Sequence, residues 1–171
     1  MAKIKVSESG LINAEAFAIY SVLRDYPDGH LHIVPKKYFT HLSVLEGGVG
    51  EGTLVRTGVT AFGKTNYREL RMFEVEKDRK LVEIDQSQDL ATFFILTPQA
   101  GGKTLVEITT EWQPAKGFAG LMERWLAPGL FRKVYKAELQ QLNEFMQSPK
   151  AEMFKSKLNN NNLRTQSAFS Q

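Results

Sequence analysis

GFAGLMERWLAPGLFRKVYKAELQQLNEFMQ, residues 117–147, is the stretch whose reading decides the fold. Its apolar residues Phe118, Leu121, Trp125, Leu130, Val134, Leu142 and Phe145 recur at helical steps, as one face of a helix that has to be buried. At about 1.5 Å per residue the segment spans about 45 Å. Pro128 and Gly129 predict an interruption, because proline deletes a helix hydrogen bond and glycine adds backbone freedom. A short helix to Ala127 and then a main helix of about five turns are expected. So long a helix needs a large partner. From about Leu42 to Trp112 the chain supplies it, reading as strand after strand with no other strong helix.

Working outward, KIKVSESGL (Lys3 to Leu11) alternates Ile4 and Val6 with polar neighbours and predicts a first strand. Asn13 stands where a helix N-cap belongs, and Phe17, Tyr20 and Leu23 share one face of the helix that follows. That helix ends near Asp25 in the turn-rich YPDGH, and a short helical or irregular stretch follows from His30 to Tyr38, around Pro35. Strands are then predicted near 42–46, 52–62, 65–77 and 80–86, turning at Gly47-Gly48 with Gly50, at Gly63-Lys64 and at Lys77-Asp78-Arg79. LATFFILTP and KTLVEITTEW, hinged at Pro98 to Gly102, bring the total to about seven strands. Short turns make neighbours antiparallel, so the class is α+β, with a curved sheet around the last helix.

Composition removes several functions. The 171 residues, 42% of them apolar, suffice for one core. The absence of cysteine excludes disulfides, thiolate metal sites and thiol nucleophiles. Residues 1–147 carry 18 Lys and Arg against 18 Asp and Glu, so the net charge of +3 comes from the tail and no nucleic-acid partner is expected. No apolar run long enough to span a membrane and no signal peptide is read, so a cytoplasmic location is expected. The asparagine-rich 148–171 reads as a low-complexity, disordered tail after a domain of residues 1–147. A turn of helix around Met153, Phe154 and Leu158 is the one element expected in it.

The chain resembles the START-like, Bet v 1-like superfamily, in its SRPBCC polyketide cyclase/dehydrase branch. The resemblance rests on INAEAFAIYSVLRD (Ile12 to Asp25), EGGVGEGT (Glu46 to Thr53), the F-x-L-x-P strand end (Phe94 to Pro98), GGKTLV (Gly101 to Val106) and the long C-terminal helix, and covers about residues 4–146. It implies a helix-grip fold: a curved antiparallel sheet of seven strands folded about the C-terminal helix, with two small helices closing one end. It also implies a cavity for apolar molecules such as lipids or polyketides, without a universal catalytic signature.

Alternation predicts the lumen wall. Val106, Ile108, Thr110 and Trp112 on the last strand, and Thr92, Phe94 and Leu96 on its neighbour, should point inward. On 65–77 the inward set is either Tyr67, Glu69, Arg71, Phe73 and Val75, or, offset by one, Arg68, Leu70 and Met72. On 52–62 Leu54, Arg56, Gly58, Thr60 and Phe62 compete with Val55, Thr57, Val59 and Ala61. Leu121, Trp125, Leu130, Val134 and Tyr135 would form the opposite wall. The ligand set is therefore Tyr67, Arg71, Phe73, Phe94, Leu96, Ile108, Thr110, Trp112, Leu121, Trp125 and Val134.

The leading function is binding of an apolar small molecule, by a monomer or a weak homodimer paired through a strand edge. The alternative is a polyketide cyclase or dehydratase in which Glu69, desolvated, moves protons and Arg71 polarises a carbonyl, with Tyr67 beside them. A non-catalytic interaction module with a filled interior is the third reading. His30, His32 and His41 form an H-x-H cluster read as a polar loop, because no carboxylate spacing completes a metal site. G-G-V-G-E-G (Gly47 to Gly52) lacks the lysine and helix of a phosphate loop, so neither metal nor cofactor is expected.

Overall fold

The computed structural model describes residues 2–61, 63–85, 87–152, 154 and 156. Its elements run β1 (Ile4–Ile12), α1 (Ala16–Arg24), a 3-10 turn (His30–His32), β2 (Phe39–Glu46), β3 (Leu54–Ala61), β4 (Lys64–Glu76), β5 (Lys80–Asp85), β6 (Leu90–Gln99), β7 (Lys103–Trp112) and α2 (Gly117–Met146). All seven strands form one antiparallel sheet in the order β1-β7-β6-β5-β4-β3-β2. From β2 to β7 each strand pairs with its successor, as their short turns dictate. Only β1 crosses to the far edge, pairing Ile4 with Trp112 and Ile12 with Thr104. No described helix is long and apolar enough to cross a membrane.

α2 is one helix of 30 residues with Pro128 inside it, where a break was expected. Proline removes one amide hydrogen from the ladder but does not reverse the chain. The predicted burial also fails for its first half: Phe118 is 76%, Leu121 54% and Trp125 81% exposed. Burial on α2 is concentrated from Val134 onward, where Leu139, Leu142, Phe145 and Met146 join the core. α1 is shorter than expected. Its N-cap is Glu15, whose carbonyl accepts from Ala18 and Ile19, while the Asn13 amide donates to Asn143 of α2. Tyr20 and Leu23 are buried, but Phe17 faces outward.

Burial settles the strands. On β3, Val55 and Thr57 face the core, and the competing Phe62 lies outside the described residues. On β4 the offset set faces inward: Leu70 and Met72 are buried, while Tyr67 and Val75 are exposed. Glu69 and Arg71 stand on the outer face, where Glu69 pairs with Arg56 at 2.6 Å and Arg71 with Glu46 at 3.0 Å. Both faces of β4 mix charged and apolar residues, so alternation alone carries no sign. β6 and β7 follow expectation, with Phe94, Leu96, Val106, Ile108, Thr110 and Trp112 all buried.

A polar knot ties α1 to the sheet. Glu74 on β4 accepts from Tyr20 at 2.9 Å, from Arg24 at 2.8 and 2.6 Å and from the Glu51 amide at 3.2 Å. Gly50 has φ +77, and a Cβ there would strike the Arg24 guanidinium and the Glu74 carboxylate. Beyond α2, Ala151 and Phe154 pack into the core. Residues 157–171, most of the expected tail, lie outside the described set, as do Met153 and Leu158.

Candidate functional site

Between the inner face of the sheet and α2 lies a cavity of about 180 Å³. Phe39, Leu42, Leu70, Phe94 and Ile108 wall it from the sheet, and Leu130, Phe131 and Val134 from α2. Tyr26, His30, Glu83, Tyr135 and Glu138 also line it, and all five are buried. Asn66 and Arg68 line it too, and with Leu90, Leu130 and Phe131 they also border an adjoining groove along Trp112, Met122 and Leu126.

Four parts of the chain place the polar cluster, with α2 supplying both Tyr135 and Glu138. The chain leaving α1 supplies Tyr26 and the 3-10 turn supplies His30, and their rings stack with centroids 4.6 Å apart and planes 5° from parallel. The edge of Phe94 closes on His30 from the sheet at 5.6 Å. His30 Nδ1 lies 2.8 Å from the Leu23 carbonyl oxygen. A carbonyl only accepts, so Nδ1 carries the hydrogen and the neutral ring keeps its lone pair on Nε2. Nε2 is 3.8 Å from Glu138 of α2, and Nδ1 is 3.9 Å from Glu83 of β5. The Tyr26 hydroxyl donates to Glu83. Tyr135 and Thr110 share a short hydroxyl contact, and Thr110 meets Thr92 at 2.7 Å.

Burial sets the charges here. Desolvation, with the nearby Glu83 carboxylate adding to it, pushes the Glu138 carboxyl up to about 8. The neutral acid is thus the main form of Glu138 at pH 7. Burial and then Glu83 raise the Tyr26 phenol well above its ordinary range, and burial does the same for Tyr135. Both tyrosines therefore stay neutral donors. The site holds a neutral carboxylic acid and an imidazole lone pair facing one apolar space, a donor and an acceptor for one proton.

Of the residues expected around a ligand, Phe94, Ile108 and Val134 line the cavity. Thr110 is buried among the hydroxyls, Leu96 is packed in the core, and Trp112 borders the adjoining groove. Tyr67 and Arg71 line a separate cleft with Glu69 and Arg56, and β4's register places Phe73 with them on the outer face. The catalytic set Glu69, Arg71 and Tyr67 is accordingly displaced from the cavity by the one-residue offset of β4. Leu121 and Trp125 project from the exposed half of α2. His30, His32 and His41 have separate surroundings: His30 is interior, His32 stacks on Phe145 at 5.7 Å, and His41 lies against Tyr67. Among the described residues no group of three or more such side chains is placed to hold a metal ion.

Glu83 and Glu138 escaped the sequence reading. Glu83 interrupts the apolar run LVEI of β5, and Glu138 falls four residues after Val134 on the buried side of α2. An acid at a core position of an amphipathic helix is the signal that pointed to it.

The fold has counterparts among solved structures. The KanY protein, solved by NMR, superposes with a TM-score of 0.76 over 86% of this chain and all of its own, at 23% identity. The Zhui aromatase/cyclase from Streptomyces sp. R1128 gives 0.67 over 86% of this chain and 97% of its own, at 17% identity. A START superfamily protein from Mycobacterium smegmatis gives 0.64 over 82% and 98%, at 15% identity. The chain shares with these structures the helix-grip fold, a curved seven-stranded antiparallel sheet with a long C-terminal helix. A scan against family models and a search of curated proteins gave no match.

Proposed function

We propose that this protein binds a small, mostly apolar molecule bearing a carbonyl or hydroxyl group, held between the sheet and α2. The observation that carries the reading is the cavity of about 180 Å³, apolar on its sides and closed by buried Tyr26, His30, Glu83, Tyr135 and Glu138. A purely apolar ligand would leave those groups nothing to recognise, whereas a carbonyl oxygen can accept from neutral Glu138. The volume is below the roughly 300–1,000 Å³ of drug-sized sites. The enclosed part is therefore a small ring or short chain, and a longer ligand leaves past Arg68 into the adjoining groove.

The test is native mass spectrometry of freshly purified protein, with organic extraction and identification of any companion. A stoichiometric carbonyl or hydroxyl compound supports the reading. An empty protein that also fails to take up flat aromatic ketones, followed by quenching of tryptophan, counts against it.

A second reading, a cyclase or dehydratase acting on a polyketide-like chain, is favoured by one observation: Glu138 and His30 Nε2 stand 3.8 Å apart at the cavity wall. The neutral acid protonates a carbonyl oxygen, and the imidazole accepts the proton released from the neighbouring carbon. The likeness to a chain described as an aromatase/cyclase agrees with this reading. Glu138→Gln should then abolish turnover while leaving ligand affinity nearly unchanged; turnover that survives the substitution removes Glu138 from the chemistry.

A further inference from the structure

One face of α2 changes character along its length. Phe118, Leu121, Met122, Trp125 and Leu126 follow the three-four spacing of a single helix side, and all five are exposed, between 41% and 81%. At 3.6 residues per turn, Arg132, Lys133 and Lys136 continue the same side, and they too are exposed. Between Lys116 and Lys136 there are five basic residues and one acid, Glu123, whose carboxylate accepts from the Ala115 amide. An exposed apolar helix end with a basic band next to it along the axis suits a lipid–water boundary, since apolar area buried in lipid and basic residues near anionic headgroups both contribute to binding. A tryptophan and a phenylalanine lead it.

We propose that this face of α2 docks on an anionic lipid bilayer, the apolar tip entering the acyl boundary and Arg132, Lys133 and Lys136 meeting the headgroups. Trp125 and Arg132 are seven residues apart, about 10 Å along a helix, which is on the scale of the headgroup layer. A second copy of the chain is the rival occupant. Two chains meeting on the stripe would cover the apolar residues but leave Arg132 and Lys133 without an acidic partner, while Lys136 already lies 3.9 Å from Glu8. A bilayer uses both. The proposal stands apart from the cavity reading, although the groove along Met122 and Leu126 would then lie close to the lipid.

Co-sedimentation of the full chain with vesicles tests it, comparing phosphatidylcholine alone with phosphatidylcholine containing about a quarter phosphatidylglycerol. Partitioning should be stronger on the anionic vesicles by on the order of tenfold or more, and should weaken with added salt. The Trp125 emission, taken as the difference between the parent and Trp125→Gln, should move to the blue on binding. Trp125→Gln and Lys133→Glu should each lower partitioning several-fold without changing the melting temperature, since both side chains are exposed. No partitioning, or partitioning indifferent to both substitutions, overturns the proposal. So does a Trp125 emission already blue before vesicles are added, which would place a second copy or another part of the chain on the stripe.

Discussion

Glu83 and Glu138 approach the same imidazole from opposite sides, one 3.9 Å from His30 Nδ1 and the other 3.8 Å from Nε2. The two carboxyls come from β5 and α2, and the ring between them comes from the 3-10 turn. Burial of both acids makes a second negative charge expensive, and desolvation pushes the Glu138 carboxyl up toward its neutral form.

This protonation makes stability depend on pH. The Glu138 carboxyl is raised from 4.5 to about 8, so between those values the unfolded chain releases a proton that the fold retains. Its contribution therefore falls as pH rises through that window, by at most a few kcal/mol at about 1.4 kcal/mol per unit. Glu138→Gln carries no such proton. Its melting temperature relative to the parent should rise steadily between about pH 5 and about pH 8; a constant difference would show that Glu138 does not titrate there.

Tyr26→Phe isolates one hydroxyl. The phenyl ring keeps the stack on His30, but Glu83 loses its phenolic donor in the interior. The expected loss is about 1–3 kcal/mol, read from the urea midpoint. A loss within about 0.5 kcal/mol, the level of an ordinary surface change, would mean Glu83 finds another donor.

The two halves of α2 should respond oppositely to truncation. Leu142 is 1% exposed, and Leu142→Ala should cost about 2–5 kcal/mol. Trp125 is 81% exposed, and Trp125→Ala should stay within about 0.5 kcal/mol in dilute buffer. Equal losses at the two sites would contradict the exposed placement of the helix tip.

Gly50 and Gly63 form a matched pair. Both have positive φ, but a Cβ at Gly63 meets nothing within 4 Å, whereas one at Gly50 runs into Arg24 and Glu74. Each alanine substitution carries the backbone strain, on the order of 1 kcal/mol. Only Gly50→Ala should also disrupt the knot at Glu74, so thermal melts should place it clearly below Gly63→Ala.

Val134 lines the cavity from α2. Val134→Phe adds volume where there is space, so the melting temperature should hold while uptake of any small apolar probe is lost. Undiminished uptake would place the binding site elsewhere.

Strand number, turns and the antiparallel pairing of successive strands were legible because alternation and turn glycines are local signals, and β7 shows them cleanly in Val106, Ile108 and Thr110; the pairing of β1 with β7 is non-local and was not. The orientation of β4 was not, because arginines and glutamates occur on both of its faces and their partners Arg56 and Glu46 lie on other strands. The reach of α2 misled for another reason. Periodicity reports that a helix is amphipathic, but not where its supporting core ends, so Trp125 and Val134 read alike. The polar floor of the cavity was hidden because Tyr26, His30, Glu83 and Glu138 come from separate elements, and only the folded sheet brings them together.

Among the described residues β1 pairs with β7 alone, across nearly the whole domain, with Gly10 opposite Val106. Such non-local pairing carries a large loop-closure cost and forms late. During synthesis the first strand and Tyr26 must wait for β7 and then for α2, which follows β7 and brings Glu138. The polar pocket is thus a product of completion: until α2 is made the chain holds Tyr26, His30 and Glu83 but neither Glu138 nor the cover that keeps a proton on it.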